Sequence, residues 1–517
     1  MQRNIRWVWL CVAMVAAGCF AGIARAAEPQ SGKFIGMYIH QHWPYNHPYA
    51  ARTWTLDDWH GYLDGLHRLG FNAIMVWPVL ETMPQPLTAS DRENLEKISR
   101  VIDLAHSEFG MKVWIALCPN VVADSAAAGQ AVFTQRHFFH CDLRVNPADR
   151  EAVGQMIRWR EQIMRPLAKA DAVSIIDSDP GGYPGSTNAE FVNLLVEHRK
   201  MFDRLRPGIE LVYWMHAGWP GYCRLYETAK YQRSTFAELE QALALLKQAN
   251  PEPWGVANGL EQAEKLGIAS RVISFRYGAI EAEPSFPMTN FGGDAACQAG
   301  GRGGPRGVMG NAQTHCVQLP NTFAFVRGAL GKPVAEADYL AFAEQLIPGQ
   351  GATILAGWKA LGVPDATAMR SVAERLQGLG EKQLAAGPLR GLLFGDPQRF
   401  VLDLVFQLRL KAALAELRVA AEKKQDLCTP LAGFIAAAEA WQQRHGYQCQ
   451  WHMPQLVPVL LKLRSPEIQA VLTPTFRAQT PFGRVKEQLY FIETHTTRLL
   501  AAMKLTLSRM QASSQSR

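Results

Sequence analysis

The order of apolar and polar positions divides the chain into two regions. From residue 34 to about residue 330, short apolar runs alternate with longer segments in which apolar residues recur at helical spacing. After Pro333 the short runs stop, and residues that favour helices dominate. The pattern predicts an α/β region over residues 34–332 and an all-helical C-terminal domain over residues 333–517.

Eight of the short runs are predicted to be strands. They are apolar on both faces, which is typical of parallel strands covered by helices. Because helical segments separate most of them, the repeat predicts a (β/α)8 TIM barrel of the α/β class. The runs cover residues 34–40, 72–77, 111–117, a stretch that starts at 172, then 209–215, 253–256, 271–277 and 306–311.

The intervening segments carry signals of helix boundaries. Thr55 is a predicted N-cap with two aspartates in the first turn, and Gly70 and Gly110 are predicted C-caps. Further helices are predicted over 91–109, 151–169, 188–205 and 236–248, and in the C-terminal domain over 400–424, 430–444 and 486–509.

The fourth strand ends in two carboxylates, Asp177 and Asp179, before a Pro-Gly-Gly break at residues 180–182. In an extended chain the two side chains would point the same way, because side chains alternate with period 2. Neighbouring carboxylates push their pKa values apart, an arrangement that suits acid and base roles. The alternative is an Asp-rich turn whose side chains cap backbone amides.

Polar and aromatic residues gather at the predicted strand ends, where barrel enzymes have their active sites. Sugars bind aromatic faces through their C–H groups and need directional hydrogen bonds to their hydroxyls, and cleavage of a glycosidic bond needs carboxyl groups. We therefore predict Asp179 and Asp177 as catalytic, and Glu281 and Glu283, with Glu81, as candidates for a second carboxylate. The predicted substrate-binding residues are His40, His42, Trp77, Glu81, Trp214, His216, Tyr277, Asn311 and Gln313.

His40 and His42 also resemble the His-x-His that follows the first strand of metal-dependent amidohydrolase barrels. Those barrels use further ligands after strands six and eight, where this chain has no histidine and Asn311 respectively. The sequence therefore predicts no metal and no cofactor. A metal-dependent hydrolase of amide or ester bonds remains an alternative.

The first 26 residues resemble a secretory signal peptide. Arg3 and Arg6 precede an apolar run over 7–23, and Ala24-Arg25-Ala26 fits a cleavage site. An alternative is a lipoprotein signal with Cys19 as the acylated residue. Either way the mature protein is predicted to be periplasmic or secreted, with no later apolar run long enough to span a membrane.

The net charge narrows the predicted partners. The net charge of +7 falls to about +4 when the three arginines of the signal leave, which is too weak to indicate a nucleic-acid partner.

Seven of the nine cysteines lie beyond the signal. Export permits disulfides, and one plausible pair is Cys428 with Cys449, although the sequence alone does not fix the pairing.

Residues 55–77, the acidic end of strand four and the segment Asn311 to His315 resemble a group of barrel glycosidases. The group includes the family 20 and family 84 β-N-acetylhexosaminidases and the family 67 α-glucuronidases, and a helical tail after the barrel is similar to families 67 and 84. In the hexosaminidases, two adjacent acids end strand four; the first holds the substrate's acetamido group and the second is the general acid. Here Ser178 separates Asp177 from Asp179, which departs from that pattern.

The sequence thus predicts an exported glycoside hydrolase, most like a hexosaminidase, with Asp179 as the general acid and Asp177 orienting or stabilising charge. A non-catalytic carbohydrate-binding barrel is the second alternative, beside the metal-dependent hydrolase.

Overall fold

The computed structural model describes residues 32–41, 43, 45–136, 142–177, 183, 185–216, 236–281, 298–423, 425–446, 455–473, 476–480, 483–486 and 495–515. Eight parallel strands close into a barrel, and a helical region follows. The predicted fold class is confirmed. Within the described ranges, none of the helices combines the length and hydropathy needed to span a bilayer.

The barrel strands fall within one or two residues of the predicted runs. They are β1 (Phe34–His40), β2 (Ala73–Trp77), β3 (Lys112–Leu117), β4 (Ala172–Ile176), β5 (Glu210–Trp214), β6 (Trp254–Ala257), β7 (Val272–Arg276) and β8 (Gly307–Asn311). Around the barrel they follow the order β1-β8-β7-β6-β5-β4-β3-β2.

The barrel helices begin and end where the sequence signals indicate. The Thr55 hydroxyl accepts a hydrogen bond from the amide of Asp58, and Gly70 and Gly110 have positive φ values of 107° and 59°. The helix predicted over 151–169 stops earlier, because Pro166 cannot donate to the helical ladder. The helices are α1 (Leu56–Leu69), α2 (Ala89–Phe109), α3 (Arg150–Met164), α4 (Asn188–Leu205), α5 (Phe236–Ala249), α6 (Leu260–Lys265) and α7 (Leu319–Ala329), with a short helix at Ser125–Gln130.

The helical region contains α8 (Glu336–Leu346), α9 (Gly351–Gly362), α10 (Ala366–Gly380), α11 (Pro397–Lys423), α12 (Cys428–His445), α13 (Val457–Lys462), α14 (Pro466–Leu472) and α15 (His495–Gln515). The prediction that strands stop after Pro333 is wrong, because Phe476–Thr480 and Gly483–Lys486 form an antiparallel pair. The predicted helix over 486–509 is therefore wrong at its start, where a run of four to five residues is too short to reveal a strand.

Alternate residues of the strands form two separate apolar layers. One set of alternate positions, from Phe34 and Tyr38 in β1 to Met309 in β8, clusters inside the barrel. The other set packs outward with the helices, in a cluster that continues into the helical region as far as Ala412. The outer core therefore crosses position 333, where the sequence pattern changes.

An ion pair closes the N-terminal end of the barrel. Arg306 donates to both carboxylate oxygens of Glu210, at 2.6 and 2.9 Å. Gly255 in β6 lies directly beneath this pair, and a Cβ there would collide with the guanidinium group of Arg306 and the carboxylate of Glu210. A Cβ there would fit only if these two side chains moved aside, so close approach rather than backbone angle favours glycine at this position.

Candidate active site

An aromatic cluster lies inside the barrel near the C-terminal ends of the strands. Tyr38 is at its centre, with ring centroids 4.2 Å from His40, 6.5 Å from Trp77 and 5.4 Å from Trp214. Phe275 completes it, 4.1 Å from Trp214 and 5.5 Å from Tyr38. The structure therefore brings together His40, Trp77 and Trp214, three of the residues predicted from the sequence.

Two buried polar atoms within this layer have no hydrogen-bond partner among the described residues. They are Nε1 of Trp214, a side chain that is 3% exposed, and the hydroxyl of Ser174 on the neighbouring strand. Ser174 lies at an inward-facing position of β4, level with Val212 of β5. Buried polar groups are nearly always paired, so an unpaired donor at the floor of a barrel mouth suits a ligand or a water molecule.

The segment after β1 joins the aromatic cluster to β8. The ring of Trp43 lies 6.0 Å from His40, and its Nε1 donates to Oε1 of Gln313 at 2.5 Å. Gln313 is thereby connected to His40 through Trp43, which is not among the substrate-binding residues predicted from the sequence. Its signal in the sequence is its place three residues beyond the strand.

Glu81 is a buried carboxylate at the end of β2, in the single turn Leu80–Thr82. It accepts hydrogen bonds from Nε1 of Trp77 at 3.1 Å and from the amide of Cys118. Burial raises the pKa of Glu81, and the charge of Arg160 partly opposes the rise. The preceding Val79 has a φ of 61°, an unusual conformation for a β-branched residue and one that often marks functional sites.

Glu281, at the end of β7, is held by the segment that follows β8. Its carboxylate accepts from the amides of Gln313 and Thr314 at 2.7 and 2.6 Å, and from the side chain of Gln318 at 3.1 Å. Burial raises its pKa to about 7, although these donors act in the opposite direction. Its backbone carbonyl accepts from the side chain of Asn311 at 3.0 Å. Glu281 and Asn311, both predicted site residues, therefore link the end of β7 to the end of β8.

Asp177 lies just beyond β4, fully buried. Its Oδ2 accepts from the hydroxyl of Tyr213 at 2.8 Å. Tyr213 belongs to the outer layer, where its ring contacts Phe191 of α4 at 5.7 Å. The carboxylate of Asp177 is therefore beside the outer layer and not among the inward-facing aromatic rings.

The remaining predicted residues differ in exposure or cannot be described. Tyr277 is 54% exposed beyond β7, and His216 is partly buried beyond β5. His42, Asp179, Glu283 and Cys449 lie outside the described residues, as does the signal segment. No three His, Cys, Asp or Glu side chains come together as a metal site within the described part of the chain.

The residues missed by the sequence analysis are chiefly Tyr38 and Phe275. Each lies two positions before a predicted residue, His40 and Tyr277 respectively, and so shares its face of the strand. The alternation was the available signal. It was obscured because the strands are apolar on both faces.

No family model matches the sequence, and no curated protein does. Similar solved structures are glycoside hydrolase barrels. One is described as a GH138 enzyme targeting pectin rhamnogalacturonan II, with 9% identity and a TM-score of 0.44. The match covers 81% of this chain and 63% of that enzyme, so this chain spans less than two thirds of the enzyme's length. Another is CpGH84D, with 8% identity and a TM-score of 0.42; the match covers 92% of this chain and 75% of that one.

A third is a chitobiase from Flavobacterium johnsoniae, with 10% identity and a TM-score of 0.35 over 79% of this chain and 75% of that one. Likeness at these TM-scores carries no argument about function, which rests below on the residues of this chain.

Proposed function

We propose that the protein is a glycosidase that binds a sugar at the C-terminal mouth of the barrel. The observation that carries the proposal is the aromatic cluster of Tyr38, Trp77 and Trp214 with an unpaired indole N–H at its floor. Aromatic faces pack on the C–H faces of pyranose rings, and a buried N–H suits a sugar hydroxyl. His40 and Gln313, joined through Trp43, add polar groups at the same rim.

In the proposed reaction, Asp179 donates a proton to the oxygen of the leaving group. Asp177, held by the hydroxyl of Tyr213, orients the end of β4 from which Asp179 follows two residues later. Glu81 is the preferred second carboxylate, because it is bonded to Trp77 of the aromatic cluster. The resemblance to hexosaminidases makes an N-acetylhexosaminide the first substrate class to test. The spacing of Asp177 and Asp179 departs from the adjacent acids of those enzymes.

The test is an assay of the purified mature protein on aryl glycosides and polysaccharides, including N-acetylhexosaminides and glucuronides, with and without a chelator. We expect release from at least one glycoside that resists chelation. Asp179→Asn is expected to lower turnover by at least ~10²-fold, because a general acid contributes about that much. Asp103→Asn, on α2 where the carboxylate and its partner Lys169 are both about half exposed, is the matched control and should leave turnover unchanged.

Other outcomes point to the alternatives. Sugar binding without turnover across the panel, unaffected by changes at Asp177 and Asp179, would indicate a non-catalytic carbohydrate-binding barrel. Turnover that is lost on chelation would indicate a metal-dependent hydrolase. Near-normal turnover of Asp179→Asn would remove that residue from the proposed mechanism.

We also propose that the protein is exported and that its signal segment is removed after Ala26. The support is the run of basic, apolar and small residues over positions 1–26. Mass spectrometry of the protein from a periplasmic fraction is expected to give an N-terminus at Ala27. A lipid-modified N-terminus at Cys19 would instead establish the lipoprotein alternative.

A further inference from the structure

The segment after β1 belongs to two parts of the molecule at once. It carries Trp43, which contacts His40 and Gln313 at the barrel mouth. Its aromatic residues Trp43, Tyr45 and Tyr49 nevertheless belong to the apolar core of the helical region, and not to that of the barrel. A displacement of this segment relative to the helices would therefore move Trp43 within the site.

Asn46 attaches the segment to the end of α12. The amide of Asn46 donates to the carbonyl of His445 at 2.8 Å, and its side chain donates to the carbonyls of Gln443 and Arg444, both at 3.2 Å. The last carbonyls of a helix have no partner within the helix. A residue of the barrel thus supplies the C-terminal cap of a helix that lies almost 400 positions later in the chain.

Tyr49 attaches the segment to α11. Its hydroxyl donates to Oδ1 of Asp403 at 2.6 Å, and both side chains are almost fully buried. Burial, and after it the charge of Asp403, holds the pKa of the Tyr49 hydroxyl well above its usual value, so this group stays a donor. Arg399 and Arg444 pair with the same carboxylate and balance its charge.

Ring contacts carry the connection from the helices to Trp43. The ring of Tyr45 lies 4.1 Å from His445 on one side and 5.9 Å from Trp43 on the other, where the two planes are 10° apart. Nε1 of Trp43 then bonds Gln313 across the mouth. The contacts are continuous from a buried carboxylate in the helical region to a predicted substrate-binding residue.

We propose that Asp403 is a positioning residue, through which the helical region fixes the segment after β1 and hence the place of Trp43 at the barrel mouth. The consequence for substrate rests on the function proposed above. The positioning of Trp43 does not, since it can be measured without any sugar.

The decisive variant is Tyr49→Phe. Asp403→Asn leaves two partly buried guanidinium groups without their counter-charge and is expected to destabilise the whole chain. Tyr49→Phe removes only the hydroxyl, and its ring keeps its contacts with Trp441 and His445. The matched control is Thr506→Val, which removes a buried hydroxyl bonded at 2.6 Å to Ser465, elsewhere in the helical region.

Two measurements report on the segment. Hydrogen exchange of the Asn46 amide is expected to rise about tenfold in Tyr49→Phe, the effect of losing one net hydrogen bond. The emission of Trp43, obtained by subtracting the spectrum of each protein carrying Trp43→Phe, is expected to shift to longer wavelength as water reaches the indole. Thr506→Val should show neither change at a similar loss of stability.

Unchanged exchange and emission in Tyr49→Phe, at a stability loss equal to that of Thr506→Val, would overturn the proposal. With a glycoside substrate in hand, Tyr49→Phe is expected to raise KM several-fold and leave kcat within about twofold, because Trp43 would position rather than react. A changed Trp43 signal with no turnover of any glycoside would support the positioning and count against the glycosidase.

Discussion

At the scale of single residues, the unpaired indole N–H of Trp214 differs from the other unpaired indole N–H groups in its position. Trp59, Trp358 and Trp441 also have buried Nε1 atoms without a partner among the described residues, but they lie in the outer or helical cores. Lack of a partner alone is therefore not a sign of a binding site. The position of Trp214 inside the barrel, in contact with Tyr38 and Phe275, is what singles it out.

We predict that Trp214→Phe weakens sugar binding by about two- to tenfold, the worth of one neutral hydrogen bond. Both Trp214→Phe and Trp358→Phe remove part of a buried ring system and leave a cavity, so the free energy of unfolding should fall in both, by a similar amount. Titration calorimetry with the sugar identified in the glycoside panel, together with urea denaturation, measures both. Trp358→Phe makes the same chemical change in the helical region and should leave affinity as it is; equal affinities for all three proteins would remove Trp214 from the site.

Glu281 predicts a pH dependence of stability. Burial raises its pKa to about 7 from the ordinary value of 4.5, so the folded protein keeps a proton on this group that the unfolded chain has already lost. Its contribution to stability is then fully present below about pH 4.5 and is lost as the pH rises through 7.

The variant that tests this is Glu281→Gln, which cannot titrate. We expect the free energy of unfolding of the parent to fall relative to that of Glu281→Gln by about 1–3 kcal/mol between pH 4.5 and pH 8. Urea denaturation at a series of pH values measures the difference. Glu261→Gln, on an exposed face of α6, is the control and should parallel the parent. A constant difference across the range would contradict the raised pKa.

At the scale of elements, the ion pair of Glu210 and Arg306 lies so close to Gly255 of β6 that a side chain there would displace it. Replacing a strand glycine with alanine ordinarily gains stability, since glycine loses more conformational freedom on folding. At Gly255 the added methyl group would meet the ends of both charged side chains and push them aside, so we predict that Gly255→Ala loses this partly exposed ion pair and lowers the free energy of unfolding by up to about 1 kcal/mol.

The control for this prediction is Gly378→Ala, on an exposed turn of α10 where a Cβ would meet nothing within 4 Å. It should raise the free energy of unfolding by up to about 1 kcal/mol. The opposite signs of the two changes are the diagnostic result, measured by urea denaturation. A stabilising Gly255→Ala would mean that the ion pair yields at little cost.

The elements were easier to predict than the directions of their side chains. Thr55, Gly70 and Gly110 mark helix ends through local hydrogen bonds and backbone angles, which neighbouring residues encode. The face of β4 could not be read, because its residues are apolar on both sides. Asp177 was accordingly expected at the mouth, whereas its partner Tyr213 belongs to the outer layer.

At the scale of the whole molecule, one apolar cluster joins the barrel to the helical region. α1 approaches the turn Arg390–Leu393 so closely that a Cβ on Gly61 would lie 3.0 Å from the Cα of Gly391. Contacts between positions more than 300 apart, such as Tyr49 with Asp403, have no signature in a single sequence. The change of pattern at Pro333 is therefore a change of secondary structure within a shared core.

We predict that the barrel fragment over residues 27–332 does not fold by itself, because it would expose the apolar surface that the helices cover. The mature chain should unfold in one calorimetric transition. A soluble fragment with the near-ultraviolet circular dichroism of a packed core, or two separate transitions in the full chain, would show instead that the two regions are independent.

The ion pair next to Gly255 has a further consequence for any ligand of the barrel. In the part of the chain that the structure describes, Glu210 and Arg306 lie at the far end and buried side chains of the inner layer fill the barrel between that end and the mouth, as in the packed interiors of TIM barrels. A ligand that enters at the C-terminal mouth therefore leaves by the same opening. A reaction product that lingers there therefore obstructs the next substrate, and inhibition by product should be competitive.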